Sequence, residues 1–317
     1  MTSAIANILY NVNNYIHLRR NGKMKYYANL HTHSTHSDGT LTPAQIAHVA
    51  KKEGYGAVTV TDHDTVTGFP EIKAECEKLG LETVFGAEFS SPSKLLEGKQ
   101  YMEADFHICA FHFDPEYPPM KQYLHEMSLR ETDQTKTLYE RAVRLGKIKG
   151  IEWEEVLEFN KGITWLCNDH LWRALLAKGL MQPSDRGWYF TELFGVHRYE
   201  VPPSYPFKQE HEIIKLIHDA GGIALVAHPH GQLMHMDALR EMGIDGLEIG
   251  HHLLTEEEKA EGTAYAHKHG LYISGGSDHD GFCANITDKN SPRYAEPCEY
   301  GTTKEYFDEI KNRKINR

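Results

Sequence analysis

The chain has few cysteines, and none of them form a Cys-x-x-Cys pair. Cys76, Cys109, Cys167, Cys283 and Cys298 are scattered, which excludes a dense disulfide framework and a zinc-ribbon spacing. A reduced, cytoplasmic compartment is the expectation. Long apolar runs are lacking too: none approaches the roughly 18 residues of a membrane span. Ala4-Ile5-Ala6 is broken at once by Asn7, so no signal-type core is read at the N-terminus. Positive charge is in deficit, with 34 Lys and Arg against 45 Asp and Glu and a net charge of −11. Such a balance disfavours duplex nucleic acid as a partner. It does not exclude a phosphate held locally, because two or three divalent ions would bring roughly +4 to +6 into a site. Neither a P-loop lysine motif nor a Gly-x-Ser-x-Gly elbow occurs, so nothing points to those chemistries. A soluble protein with no membrane partner is expected.

What the chain does have is histidine, 21 in all, and many of these sit beside carboxylates at the ends of short apolar runs. His31-Thr32-His33 follows Tyr26–Leu30, and Asp62-His63 follows Ala57–Thr61. Glu88 follows Glu82–Ala87, His228 follows Ile223–Ala227, and Asp278-His279-Asp280 comes after Leu271–Ser274. In an extended segment residues i and i+2 project to one side, so His31 and His33 can grip one ion. Asp38 lies a tight turn away, within reach of a second. Glu88 can bridge two metals, which a neutral imidazole cannot. Gly86 just before it would permit a close backbone approach at the site. Imidazoles and carboxylates delivered repeatedly from strand ends describe a multinuclear site for hard or borderline divalent metals. Metal-assisted hydrolysis is the reaction class this favours. His107 is the exception, near the start of its strand, Asp105–Phe113.

The runs alternate with helical patterns. Thr42 and Pro43 open a helix to about Glu53, Glu71–Leu79 is a second, and Glu210–Ala220 and Thr255–His269 are later ones. Strand, helix, strand at this spacing implies βαβ units and a parallel sheet. Ligands at carboxyl strand ends match the rule for active sites in β/α barrels. The rhythm stops between about 114 and 206, where Lys121–Leu145, Glu152–Phe159 and Leu171–Lys178 read as helices. The expected organisation is a β/α barrel over 1–113 and 207–317, with residues 1–25 as an N-terminal arm. Residues 114–206 form an inserted helical subdomain, either a lid or a packing element. One of the aromatics in the insertion (Trp153, Trp165, Trp172, Trp188, Tyr189, Phe190) could stack on a nucleobase, most of them being core.

These motifs, taken in order, resemble the PHP (polymerase and histidinol phosphatase) group of metal-dependent phosphoesterases. The residues carrying the resemblance are His31-Thr32-His33-Ser34 with Ser37-Asp38-Gly39, Thr61-Asp62-His63, Gly86-Ala87-Glu88, the Asp105–Phe111 strand, Ala227-His228-Pro229 and Gly276-Ser277-Asp278. The insertion, with Asn168-Asp169-His170 and Ala174-Leu175-Leu176, is similar to that of the subgroup of nucleotide and nucleoside-bisphosphate phosphatases. The resemblance implies an α/β fold, a distorted (β/α)7 barrel with an inserted, mainly helical subdomain. It also implies two or three divalent ions (Mn, Fe or Zn). His31, His33, Glu88 and Asp278 would hold the first ion. Asp38, His63 and Asp280 would hold the second, and Glu88 would bridge to a third with His107 and His228. Where the group usually reads Ser-Asp-x-His, this chain has Ser277-Asp278-His279-Asp280, so either Asp280 or His279 serves. An Asp ligand would favour manganese or iron over zinc.

The implied activity is hydrolysis of a small phosphorylated metabolite, a nucleotide or related sugar phosphate, by a metal-bridging hydroxide attacking phosphorus. His63, His170 and His251 are the candidate proton donors. Asn168, standing where the subgroup often has an arginine, and His170, His251 and His252 are the candidate substrate contacts. The alternatives are a cyclic phosphodiesterase on the same scaffold, a metal-dependent C–N hydrolase, or a non-catalytic metal-binding module. Polymerase-linked exonuclease action ranks lower, for want of a polymerase portion and of basic charge.

Overall fold

The structure is a computed structural model that describes residues 26–97, 105–195, 204–278 and 300–313. The N-terminal arm expected over 1–25, and His279 and Asp280, lie outside the described residues. The protein is mixed α/β. Among the described residues no helix is long and apolar enough to cross a membrane.

Strands β1 (Ala28–Asn29) and β2 (Ala57–Val58) pair in parallel across the Pro43–Glu53 helix. That helix begins in a reciprocal cap: the Thr42 hydroxyl accepts the Gln45 N–H at 3.2 Å, and the Gln45 side chain accepts the Thr42 N–H at 2.9 Å. Gly54 ends it at φ 96°, a conformation that glycine reaches without steric cost. The second helix, Phe69–Leu79, starts two residues before the expected Glu71.

The larger sheet has the order β3 (Gly86–Pro92), β4 (Asp105–Phe111), β5 (Ile223–Val226), β6 (Gly246–Gly250) and β7 (Tyr272–Gly275). Two expectations change here. The sheet is not wholly parallel, because β4 runs antiparallel to both β3 and β5. Of the β3–β4 connection the described residues show only the one-turn Lys94–Leu96 helix, and an antiparallel pair needs no helical crossover. Nor does Glu88 end a strand: it is the third residue of β3, opposite Cys109. The space made by Gly86 serves β4, since a Cβ there would lie 2.9 Å from the Phe111 ring.

Both faces of these strands are buried, which is why they read as continuous apolar runs rather than alternating ones. Phe106, Ile108, Ala110, Ala224, Val226, Leu247 and Ile273 join one cluster with helix Glu210–Asp219. Their strand neighbours Cys109, Phe111, Ile223, Leu225, Ala227 and Tyr272 join Ala28, Leu30, Ala57, Phe307 and Ile310 in another. Backbone bonds link the two sheets at both margins. Glu88 N–H meets the Asp62 carbonyl at 3.3 Å, Asp64 N–H meets the Glu88 carbonyl at 2.8 Å, and Leu30 N–H meets the Gly275 carbonyl at 3.2 Å. A separate cluster gathers Leu138, Trp153, Val156, Leu171, Trp172 and Tyr189 from helices Pro118–Arg144, Trp153–Phe159 and Asn168–Ala177 and the segment after them.

Two tests follow from this packing. A Cβ on Gly250 would fall 1.9 Å from the Gly301 carbonyl oxygen, backbone that cannot yield like a side chain. Gly250→Ala is expected to cost about 1–3 kcal/mol in urea unfolding. Glu258, in the first turn of helix Glu256–His269, accepts the Thr255 and Gly231 amides at 2.8 Å each and faces His230 Nδ1 at 2.9 Å. Burial opposes ionisation, yet these partners hold its carboxyl down to about 2. A folded pKa below the unfolded one stabilises above about pH 4.5, and that stabilisation is lost as pH falls toward 2. Glu258→Gln should therefore lose about 1 kcal/mol at pH 7, the figure being reduced for solvent screening. Its unfolding free energy should vary less across that acid window.

Candidate metal centre

The strand directions explain how the candidate ligands meet. His31 and His33 leave the carboxyl end of β1, Asp62 and His63 follow β2, His228 follows β5 and Asp278 follows β7. Because β4 is reversed, its amino end lies at that same margin, so His107 near its start arrives there too. The sequence exception and the antiparallel strand are one fact.

Glu88 is the centre of the cluster and is fully buried. Its Oε1 lies 3.3 Å from His31 Nε2, 3.1 Å from His107 Nδ1 and 3.3 Å from His228 Nε2. Its Oε2 lies 3.2 Å from His33 Nε2 and 3.1 Å from His63 Nδ1. Asp278 Oδ1 approaches His33 Nε2 at 3.0 Å and His31 Nε2 at 3.5 Å. Asp38 faces His33 Nδ1 at 3.6 Å and His63 Nε2 at 3.8 Å. Among the described residues three sets have donor atoms close enough to share an ion: His31, His33, Glu88 and Asp278; His33, Asp38 and His63; and His63, Glu88 and His107.

The donor chemistry fits cations. His31 Nδ1 stands 3.0 Å from Glu248 Oε2, and a carboxylate accepts, so that nitrogen carries the proton. In neutral His31 the Nε2 lone pair then points into a space shared with His33 Nε2, Glu88 and Asp278. Burial opposes charge on His31 and His33, yet the surrounding thiol and carboxylates raise both imidazoles well above the ordinary value. This space thus already attracts positive charge, which a cation could supply in place of protons. His63 Nδ1 and Glu88 Oε2, both buried, make no hydrogen bond despite their proximity. Burial opposes the charge on Glu88, but His31, His107 and His63 hold its carboxyl well below the ordinary value. Burial and then His33 push the His63 imidazole down to about 4, which keeps it neutral and able to ligate. His228 and Asp278 have φ of 28° and 49°, conformations that non-glycine residues adopt at a cost.

Supporting groups not anticipated from sequence surround this centre. Glu248, inside β6, fixes the His31 tautomer and also accepts the His228 N–H at 2.9 Å. The signal was a glutamate within the otherwise apolar Gly246–Gly250. Asp62 accepts the Ser34 N–H at 2.6 Å and the Ser34 and Ser37 hydroxyls at 2.8 Å each. It thereby pins the loop that carries His33 and Asp38.

The remaining candidates sit apart. His251 is fully buried behind Asp278, with Nε2 3.8 Å from Asp278 Oδ2, and Nδ1 accepts the Leu253 N–H at 3.2 Å. His252 packs against the His251 ring at a centroid distance of 4.4 Å. His170 has both nitrogens engaged: Nδ1 accepts the Cys167 N–H, and Nε2 donates to the Thr35 carbonyl, each at 3.0 Å. It ties helix Asn168–Ala177 to the Thr35 carbonyl of the ligand loop and has no proton left to give a substrate. Asn168 turns away as well, its Oδ1 accepting from the Thr135 hydroxyl at 3.4 Å. Trp165 lies over His63, with centroids 6.2 Å apart and planes 30° from parallel.

A buried carboxylate ringed by imidazoles in a mixed α/β protein is the kind of centre used for metal-assisted hydrolysis. Residues 29–168 match the PHP domain. The chain is 29% identical to a 5′-3′ exoribonuclease of Haemophilus influenzae, over 78% of this chain and 88% of that protein. It is 27% identical to the phosphoribosyl 1,2-cyclic phosphate 1,2-diphosphodiesterase of Eggerthella lenta, over 80% and 93% of the two chains. It is also 27% identical to a 3′,5′-nucleoside bisphosphate phosphatase of Chromobacterium violaceum, over 78% and 85%. A solved structure from Bifidobacterium adolescentis, described as a candidate metal-dependent phosphoesterase, superposes with a TM-score of 0.69 at 27% identity, covering 91% of this chain and 96% of that one. The chain thus carries a PHP-domain match over residues 29–168 and is similar over most of its length to metal-dependent phosphoesterases.

If Glu248 sets the His31 tautomer, Glu248→Ala should weaken metal binding about 10–100-fold. Manganese titration by calorimetry reads this directly. An affinity equal to wild type would mean that His31 is oriented by something else.

Proposed function

We propose that the protein is a phosphatase for a small phosphorylated metabolite, a nucleotide or a related sugar phosphate, working with two or three divalent ions. The observation that carries this is the convergence of five imidazoles on the buried Glu88 carboxylate. His31, His33, Glu88 and Asp278 would hold one ion, and Asp38 and His63 a second, with Asp280 as the expected further ligand. Glu88, His107 and His228 would hold a third. Bound there, such ions neutralise phosphate oxygens and acidify a coordinated water. The backbone bonds joining the two sheets, and the buried cluster shared by β1, β2, β4, β5 and β7, support a distorted seven-stranded barrel. The separate core around Trp172 supports residues 114–206 as an inserted helical subdomain.

The remaining work falls to protein side chains. His251 Nδ1 accepts from the backbone, so in the neutral ring the proton sits on Nε2, beside Asp278. Burial holds this imidazole well below its ordinary value, so at neutral pH it donates a hydrogen bond as a neutral ring. The geometry favours it over His170 for meeting a phosphoryl or departing oxygen, and His63 has carboxylates at both nitrogens. Trp165, covering His63 from the insertion side, closes the centre there. A second reading is favoured by the exoribonuclease match: a 5′-phosphorylated RNA end as substrate. A net charge of −11 fits a single-stranded end better than a duplex.

Product analysis after manganese reconstitution, for released phosphate, released mononucleotide and ring-opened ester, across nucleoside mono-, bis- and cyclic phosphates, sugar phosphates and 5′-phosphorylated RNA, separates these readings. A preferred small substrate, abolished by chelation and by Glu88→Ala, is expected. Preference for RNA, read as released mononucleotide, would move the assignment to the second reading, and no hydrolysis of any substrate with metal shown to be bound would overturn both. His251→Ala should lower kcat about 10²–10³-fold, the usual effect of deleting one oxyanion donor.

A further inference from the structure

The loop Ser34–Gly39 carries Asp38 and is clamped from two sides. Asp62 holds it from the β2 side through Ser34 and Ser37. The other side is held by the insertion. Cys167, His170 and Arg173 are spaced by three at the start of helix Asn168–Ala177, so they share one face. Their donors end on the carbonyl oxygens of this one loop. The Arg173 guanidinium bonds the Gly39 carbonyl and reaches those of Ser37 at 3.3 Å and Thr35 at 3.4 Å. His170 Nε2 meets the Thr35 carbonyl at 3.0 Å, and the Cys167 thiol faces the Ser37 carbonyl at 3.9 Å. The loop also folds tightly on itself, for a Cβ at Gly39 would fall 2.1 Å from the His33 carbonyl oxygen.

We propose that Arg173 is a positioning residue for the ion site that includes Asp38, so that docking of the insertion sets the occupancy of that one ion. This rests on the multi-ion reading above. A planar guanidinium with five donors suits three carbonyls converging from a single turn, and a lysine ammonium matches that fork poorly. With Thr35, Ser37 and Gly39 committed to Arg173, what the loop offers to His33 and His63 is the Asp38 carboxylate. His31, Glu88, His228 and Asp278 are supported by Glu248 and by backbone of other strands, with no bond to Arg173. Its loss should therefore affect the ions unequally, which simple loss of packing would not do.

The test is equilibrium dialysis against manganese with bound metal counted per chain, for wild type, Arg173→Ala, Arg173→Lys and Asp38→Ala, with thermal unfolding run in parallel. Arg173→Ala is expected to bind one ion about 10–100-fold more weakly while keeping the others. Asp38→Ala should lose the same ion, and the double variant should lose no more. Added guanidinium should restore the ion to Arg173→Ala, and Arg173→Lys should fall between that variant and wild type. Wild-type stoichiometry and affinity in Arg173→Ala would overturn the proposal while leaving the multi-ion reading intact. Loss of all ions together, or unfolding at the assay temperature with Arg173→Lys equally unfolded, would make Arg173 a residue of the fold and overturn it too. Fewer than two ions in wild type would overturn the multi-ion reading itself, and the proposal with it.

Discussion

A carboxylate buried with no access to water is costly unless positive charge answers it. Glu88 is such a group, and much of the molecule is arranged around that need. Five imidazoles come to it from four separate segments, His31 and His33 sharing one. Each must be held by its own fold element, so the site is only as well defined as the packing of the strands beneath it. That packing is dense and apolar on both faces. Cations in the centre would take the place of the protons that His31 and His33 otherwise hold against these carboxylates. On this reading, metal binding and local rigidity are one property.

The supports are tiered. Glu248 fixes a ring nitrogen of His31 and an amide of His228, and Asp62 fixes the loop between His33 and Asp38. Both are carboxylates, yet neither belongs to the groups of atoms that can share an ion. Their charge is spent on orientation. Helix Asn168–Ala177 adds a further tier through His170 and Arg173, whose partners are backbone carbonyls rather than ligands. This gives that helix a structural tie to the loop that carries Asp38.

The matched relatives carry names for a cyclic phosphodiesterase, a bisphosphate phosphatase and an exoribonuclease. A common centre that neutralises phosphate oxygens does not itself distinguish these esters. Discrimination must come from what surrounds the reacting phosphate. Near the centre lie a buried His251 and a tryptophan laid over His63, while Asn168 turns away toward Thr135.

Local patterning carries a good deal of this protein. Thr42-Pro43 and Gly54 bracket a helix because capping and positive φ are short-range demands, and the apolar runs mark strands because burial of both faces leaves no polar alternation. The donor types at strand ends name the chemistry, since imidazole and carboxylate at that density serve metals. Three things were decided only in three dimensions. The direction of β4 depends on the hydrogen-bonding partners of both its edges, and with it the reason His107 lies at the start of its strand. The roles of Glu248 and Asp62 depend on which residues their carboxylates face across the sheet, and sequence spacing says nothing about neighbours 217 residues apart. The status of His170 turns on where its two nitrogens end, one of them on a loop far behind it in the chain. Sequence fixes which groups are present and their local geometry, whereas long-range contact decides which of them are left free to act.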